Sequence, residues 1–293
     1  MIEKFAGVSR TVQSEFLDLN HTSKNCDSSV PNDSELRSEC RRQGQANFGI
    51  GTLGRVLPLT LADRTMPLQN RVTPAGEIIA SPDRGLMMGN RGGCFHLPDK
   101  TLKSRRWATR QWIACLLEFK GRRRQLMQPN RYTELFFLDE ATALAAGHRP
   151  CFECRRASAV RFAELWSTTH RLSKPARAPD MDTILHPERT EPCGAKRTHV
   201  AALAGLPDGV FVRHAANGAA PRAYLVDAYR LLAWSPAGYE KAISRPAQAL
   251  IEVLTPPSIV AVLSAGYRPM LHPSAAGVMD SRRFRREGDE KHP

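Results

Sequence analysis

No stretch of this 293-residue chain approaches the roughly 18 to 20 consecutive apolar residues that a membrane-spanning helix requires. Met1 to Gly7 also lacks the basic start and apolar run of an export signal. The expectation is a cytoplasmic protein with no membrane partner. Catalytic signatures are missing too: there is no Gly-x-Ser-x-Gly, no His-Glu-x-x-His and no paired-carboxylate motif. His148 and His186 stand beside no nucleophile at a recognisable spacing, so no catalytic role is assigned. The Gly-rich run DRGLMMGNRGGCFHLPDK contains Asn90, Arg91, Gly92 and Gly93 but not the glycine spacing or terminal Lys-Ser/Thr of a P-loop, and it reads as a tight turn.

The seven cysteines (26, 40, 94, 115, 151, 154 and 193) are odd in number and scattered, which does not fit the even, regular framework of a secreted disulfide scaffold. In a reducing compartment, Cys151 and Cys154 in Cys-x-x-Cys spacing read as a metal or redox element. Charge is the other strong feature. The formal net charge is +13 and the pI about 9.8, which makes polyanions, and nucleic acid first among them, the expected partners. An Arg- and Ala-rich coding bias accounts for the same excess.

Taken in order, residues 1–65 are polar and aperiodic and read as disordered. Met66 opens a sequence that resembles a natural start, so this extension is either a gene-start artefact or a partner-binding tail. Residues 100–135 hold ten Lys or Arg against Glu118 and Glu134, an excess of eight positive charges. Within them Trp112 to Phe119 reads as a strand, Lys120-Gly121 as a turn and Arg122 to Met127 as the returning strand of a basic hairpin. Arg105, Arg106, Arg110, Arg122, Arg123 and Arg124 are candidate phosphate contacts, with Trp107 or Trp112 as a stacking platform. Aromatics in the core and arginines on a solvated face are the competing description.

Thr133 to Phe137 reads as a third strand and Asp139 as the N-cap of an Ala-rich helix that Gly147 ends. Arg155 to Ser167 reads as a helix after the Cys-x-x-Cys turn, carrying Arg155 and Arg156 as further phosphate contacts. Residues 172–199, rich in Pro, Arg and Asp, read as a linker. Strands follow between Leu206 and Trp234. IEVLT then leads into a helix with Thr255 as N-cap and Pro256 at its first position. The segment ALAAGHRPCFEC (143–154) is echoed by VLSAGYRPMLHP (262–273). A degenerate duplication and a coincidence of Ala-rich composition both account for the echo.

The stretch FFLDEATALAAGHRPCFEC resembles the end of the zinc-binding module of the Ada DNA-repair protein and of related nuclease-attached segments, over about 20 residues. The match reaches about 45 residues if the basic hairpin is included. That resemblance implies one Zn²⁺ held by four cysteines and, in the family, methyl transfer from a DNA phosphotriester to a thiolate of the first cysteine pair. RRRQLMQPN (122–130) contains no cysteine where that pair belongs. Cys151 and Cys154 therefore need partners from elsewhere, with His96 preferred, then Cys94. Cys115 on the strand and His272 in the echoing half are further candidates, with Cys115 reading more readily as a packed thiol.

The expected fold is α+β, with two small halves of short antiparallel strands and one or two helices each. The boundaries are 66–171 for a basic Ada-like Cys-x-x-Cys domain, 172–199 for a linker, 200–275 for a second half and 276–293 for a charged tail. The expected function is a zinc-stabilised, nucleic-acid-binding accessory module of DNA-repair or regulatory type. Competing classes are a metal-dependent hydrolase or nuclease, a degenerate alkyl-transfer protein and a protein-interaction module.

Overall fold

Short apolar runs punctuated by Gly and Pro build twelve strands, none longer than seven residues, among the described residues. The computed structural model describes residues 66–278 except 123, 124, 216–218 and 248. The expectations for residues 1–65, for Arg123 and Arg124 and for the tail past 278 lie outside the described residues.

The first sheet contains β1 (Gln69–Val72), β2 (Ile78–Ala80), β3 (Met87–Asn90), β4 (Ile113–Leu116), β5 (Leu135–Phe137) and β6 (Arg149–Pro150). Its spatial order is β2-β1-β5-β3-β4-β6. The β1–β5 and β4–β6 pairs are parallel, so this sheet is mixed, not purely antiparallel as the strand reading expected. The second sheet contains β7 (His199–Ala202), β8 (Phe211–His214), β9 (Arg222–Asp227), β10 (Arg230–Ser235), β11 (Gly238–Ser244) and β12 (Leu250–Val253). It is antiparallel throughout, in the order β11-β10-β9-β8-β12-β7. Among the described residues, five α-helices complete an α+β protein: α1 (Glu140–Ala145), α2 (Arg156–Thr169), α3 (Ala178–Arg189), α4 (Pro257–Ser264) and α5 (Ser274–Gly277).

Helix α1 begins where the sequence places it. Asp139 accepts hydrogen bonds from the Thr142 N–H (2.9 Å) and hydroxyl (2.8 Å), satisfying a free donor of the first turn. Gly147, at φ 85°, supplies the left-handed stop. All six α1 residues are buried, and a helix buried on every side needs small side chains facing each neighbour. Ala143 and Ala146 pack on the first sheet with Val72, Met87 and Phe137, while Ala141 and Ala145 join Phe211, Leu225 and Leu232 of the second. Leu144 enters the largest core, beside Phe162, Trp166, Leu185, Val226 and Val262. The apolar core therefore crosses the boundary expected between two halves.

Several sequence expectations are corrected. Residues 172–199 contain α3, whose Met181 and Leu185, four residues apart, are fully buried. Pro179 stands at the helix start, where its missing N–H costs nothing, and Pro187 lies in the last turn, so the prolines bracket the helix instead of preventing it. Met87–Asn90, read as part of a Gly-rich turn, is a strand between β4 and β5. Of the expected returning strand, the described residues Arg122 and Gln125 to Met127 are not in a strand. The free edge of β4 is taken by β6 instead, with the Arg149 N–H on the Trp112 carbonyl (3.1 Å) and the Cys151 N–H on the Ala114 carbonyl (3.0 Å). Lys120 and Gly121 do turn, both at positive φ. Helix α4 starts one residue later than expected because the Thr255 hydroxyl accepts the Phe211 N–H of β8 (2.9 Å) and does not cap the helix. The echo segments share a helix, a positive-φ glycine and Arg-Pro, whereas the two sheets differ in strand order.

Candidate metal centre

Parallel pairing of β4 with β6 is what assembles the site. Ile113 lies opposite Arg149 and Ala114 opposite Pro150, so the next residues along, Cys115 within β4 and Cys151 just past β6, come to neighbouring positions. The turn after β6 then brings Cys154 back, with the Glu153 N–H directed at Cys151 Sγ (3.4 Å). The sulfurs of Cys115, Cys151 and Cys154 all lie within 4.8 Å of one another. A tetrahedral ion with metal–sulfur bonds of about 2.3 Å sets its sulfurs about 3.8 Å apart, inside that bound.

The three thiols polarise one another. Cys151 is lowered to about 5, first because the Cys115 S–H donates to it and then through the backbone N–H groups of Cys154 and Glu153, against the opposing effect of burial. Cys115 is raised, chiefly because it is the donor in that bond and then by burial. Cys154 is raised by burial, although the Leu116 N–H points toward its sulfur and opposes that shift. One thiolate flanked by two S–H donors is a preformed soft-donor set, and three sulfurs could hold a metal ion.

Of the ligands expected from sequence, Cys151 and Cys154 meet as anticipated. His96 is not in the group, because its Nδ1 bonds the Thr133 hydroxyl (2.8 Å) and its Nε2 the Gln128 carbonyl (3.3 Å). Cys94 lies beside His96, with Sγ to Nδ1 at 3.9 Å. The third sulfur comes from Cys115, which the sequence reading took for a packed thiol. Its signal is the strand's alternation, in which Ala114 faces the core and Cys115 the opposite side. No fourth His, Cys, Asp or Glu joins the group among the described residues.

The proposed nucleic-acid contacts divide. Trp107 is buried against Trp112 (ring centroids 6.1 Å apart) and His186 (5.8 Å), so its ring is core and not an exposed platform. Arg155 forms a two-pronged pair with Glu140 (2.7 and 2.6 Å), both side chains buried, and is structural. Arg122 reaches Glu153 (2.7 Å) at the surface. Arg156 and Arg110 are exposed, and Arg105 and Arg106 half-buried. Arg105 and Arg110 flank His186, which is held down to about 4 by burial and then by Arg189, Arg110 and Arg105.

Beneath this patch lies a second cationic layer. The guanidinium carbons of Arg91 and Arg189 stand 4.0 and 4.1 Å from the Trp112 ring centroid. The two arginines donate to the Arg106 and Arg110 carbonyls, so buried cations tie down the loop that carries the outer ones. Arg91 and Arg189 are each lowered to about 9, mainly by burial. Lys196, half-buried as a residue, donates its ammonium to the Ala145 carbonyl (2.7 Å) and is lowered to about 7, again chiefly by desolvation. Asp182 supplies counter-charge through Arg149 (3.0 and 2.7 Å).

Fold and site together define an α+β protein with a three-cysteine group placed to hold a metal ion. No family model, curated protein or solved structure matches the chain. No helix among the described residues is long and apolar enough to cross a membrane.

Proposed function

We propose that the protein binds one Zn²⁺ through Cys115, Cys151 and Cys154 and serves as a nucleic-acid-binding accessory module of the Ada type, acting in DNA repair or regulation within the cytoplasm. The observation that carries the reading is the meeting of three sulfurs within 4.8 Å on a strand and a Cys-x-x-Cys turn. Thiolates select Zn²⁺ over hard cations such as Mg²⁺ and Ca²⁺, and a metal there would pin the start of α2 to the edge of the first sheet. Cys115 in part replaces the cysteine pair that the resemblance requires and residues 122–130 lack. The nucleic-acid reading is supported by the eight-charge excess of residues 100–135 and by the Arg105, Arg106 and Arg110 patch.

Metal analysis of the purified protein is expected to return one zinc per chain, and Cys115→Ser or Cys151→Ser to lose it. Zinc-free wild type, with serine variants equally stable, would remove the metal reading. Binding of oligonucleotides is expected to weaken steeply with salt, since three phosphate contacts give a log–log slope of about −3. Replacing Arg105, Arg106 and Arg110 with Ala should flatten that slope toward zero. A slope indifferent to these three changes rules the patch out.

A further inference from the structure

The sheet face that carries Cys115 is also the floor of a cavity of about 460 Å³, a volume typical of small-ligand sites. Strand register lays out that floor. Phe136 lies opposite Met88 and Met88 opposite Cys115, which forms one row across β5, β3 and β4. Asn90 and Ile113 form the next, while Met87, Gly89 and Ala114 turn to the core on the other face. Phe119, Leu126 and Tyr132 also line the space, as do all three cysteines of the metal group.

Glu134 lines this apolar cavity although its residue is only 2% exposed. One carboxylate oxygen, Oε2, accepts the Met127 N–H (2.8 Å), a contact held by Met127 at φ 53°. The other, Oε1, is buried and has no hydrogen-bond partner among the described residues. An unmatched buried carboxylate oxygen is costly, and a left-handed Met127 adds to the cost. The cavity therefore presents one acceptor without a donor, flat apolar walls, and three sulfurs that leave a tetrahedral ion its fourth position.

We propose that this cavity binds a small, flat nitrogen heterocycle bearing an amino group, with a ring nitrogen on the fourth metal position and the amine donating to Glu134 Oε1. The proposal rests on the zinc reading. Nitrogen is a natural partner for thiolate-bound zinc, and the aromatic and aliphatic walls cover a ring's faces. A hydrogen bond to a charged acceptor gives a preference of about tenfold or more over the same ring without the amine.

The test uses the full chain loaded with Co²⁺, whose sulfur-to-metal absorption reports the thiolates and whose visible bands report the fourth ligand. The probes are 4-aminopyrimidine and pyrimidine. The expected result is a shift of the visible bands by 4-aminopyrimidine, at least about tenfold tighter than by pyrimidine. Glu134→Gln should reduce that preference by about tenfold while keeping the sulfur-to-metal absorption, because the amide oxygen can accept the Met127 N–H and leave an NH₂ facing the ligand amine. Met88→Trp should fill the cavity and block both probes with the same absorption retained. Strong sulfur-to-metal absorption with visible bands that neither probe moves would overturn the ligand site and leave the metal site standing. Absence of that absorption in the wild-type protein overturns both.

Discussion

At the scale of single residues, His148 is held in a place where a proton does not fit. It is fully buried, its Nε2 accepts the Arg91 Nε–H (3.3 Å), and the Trp112 and Phe137 rings pack on it. Burial, then the charges of Arg91, Arg189 and Lys196, drive its pKa well below the usual histidine value, against one backbone bond that raises it. The folded state thus prefers the neutral ring, while the unfolded chain takes up a proton below about pH 6.5. The stability this neutrality provides is present above pH 6.5 and declines as the solution is acidified toward the depressed folded value, by up to about 1.4 kcal/mol per pH unit. Urea unfolding of His148→Gln between pH 7 and 5 should show a shallower loss than wild type; parallel curves would remove His148 as the cause. Nothing in the chain order announces this role. His148 reads as a lone ring beside a turn, and only the packing of Arg91, 57 residues away, makes it an acceptor. Trp107 carries the same lesson, since a Trp between arginines looks alike in sequence whether its ring faces a base or a core.

At the scale of elements, the N-terminus of α1 is a junction. Asp139 accepts the Tyr239 hydroxyl (2.7 Å) and the His272 N–H (3.0 Å) in addition to its capping bonds. Glu140 accepts Arg155, the Tyr267 hydroxyl (2.6 Å) and the Met270 N–H (3.0 Å). Burial raises the Asp139 pKa while those donors oppose it. Two adjacent carboxylates thereby bind β11, α2 and the echo segment to one helix end. Glu140→Ala leaves the Arg155 guanidinium buried and unpaired, which should cost about 3 to 5 kcal/mol in chemical denaturation. Adding Arg155→Met should restore a good part of it, and a double variant no more stable than the single one would show that the pair is not the source. Much of this element was readable from the chain: the cap, the Ala-rich helix, the glycine stop and the Cys-x-x-Cys turn are local signals a few residues long. The pairing of β4 with β6 was not, because its partners are 36 residues apart and β6 is only two residues long. Missing that pairing ranked Cys115 below His96 among the candidate ligands, since the same register that displaces the basic hairpin brings the third sulfur to the other two.

At the scale of the molecule, α1 links the cores of the two sheets, with Ala143 packed in that of the first and Ala141 and Ala145 against the second. Leu144 from α1, Phe162 and Trp166 from α2, and Met181 and Leu185 from α3 pack with Val212, Val226 and Leu231 of the second sheet and Ile259 and Val262 of α4. A segment taken from composition alone for a linker is the helix that helps fuse them, which is why Pro and charge content misled where the Met181–Leu185 spacing would not have. Neither sheet's core can open without exposing α1, which is buried in the other's core as well, so unfolding should be a single event. Trp107, Trp112 and Trp166 lie before residue 172 and Trp234 in β10, while most strand signal comes from the longer second sheet. Fluorescence and far-ultraviolet circular dichroism should therefore trace one coincident urea transition. Leu144→Ala, which opens a cavity where α1 meets α2, α3, α4 and the second sheet, should lower stability by about 2 to 5 kcal/mol and move the two signals together. Two separated transitions, with only one displaced by the substitution, would mean that the halves are held by contacts weaker than the cores within them.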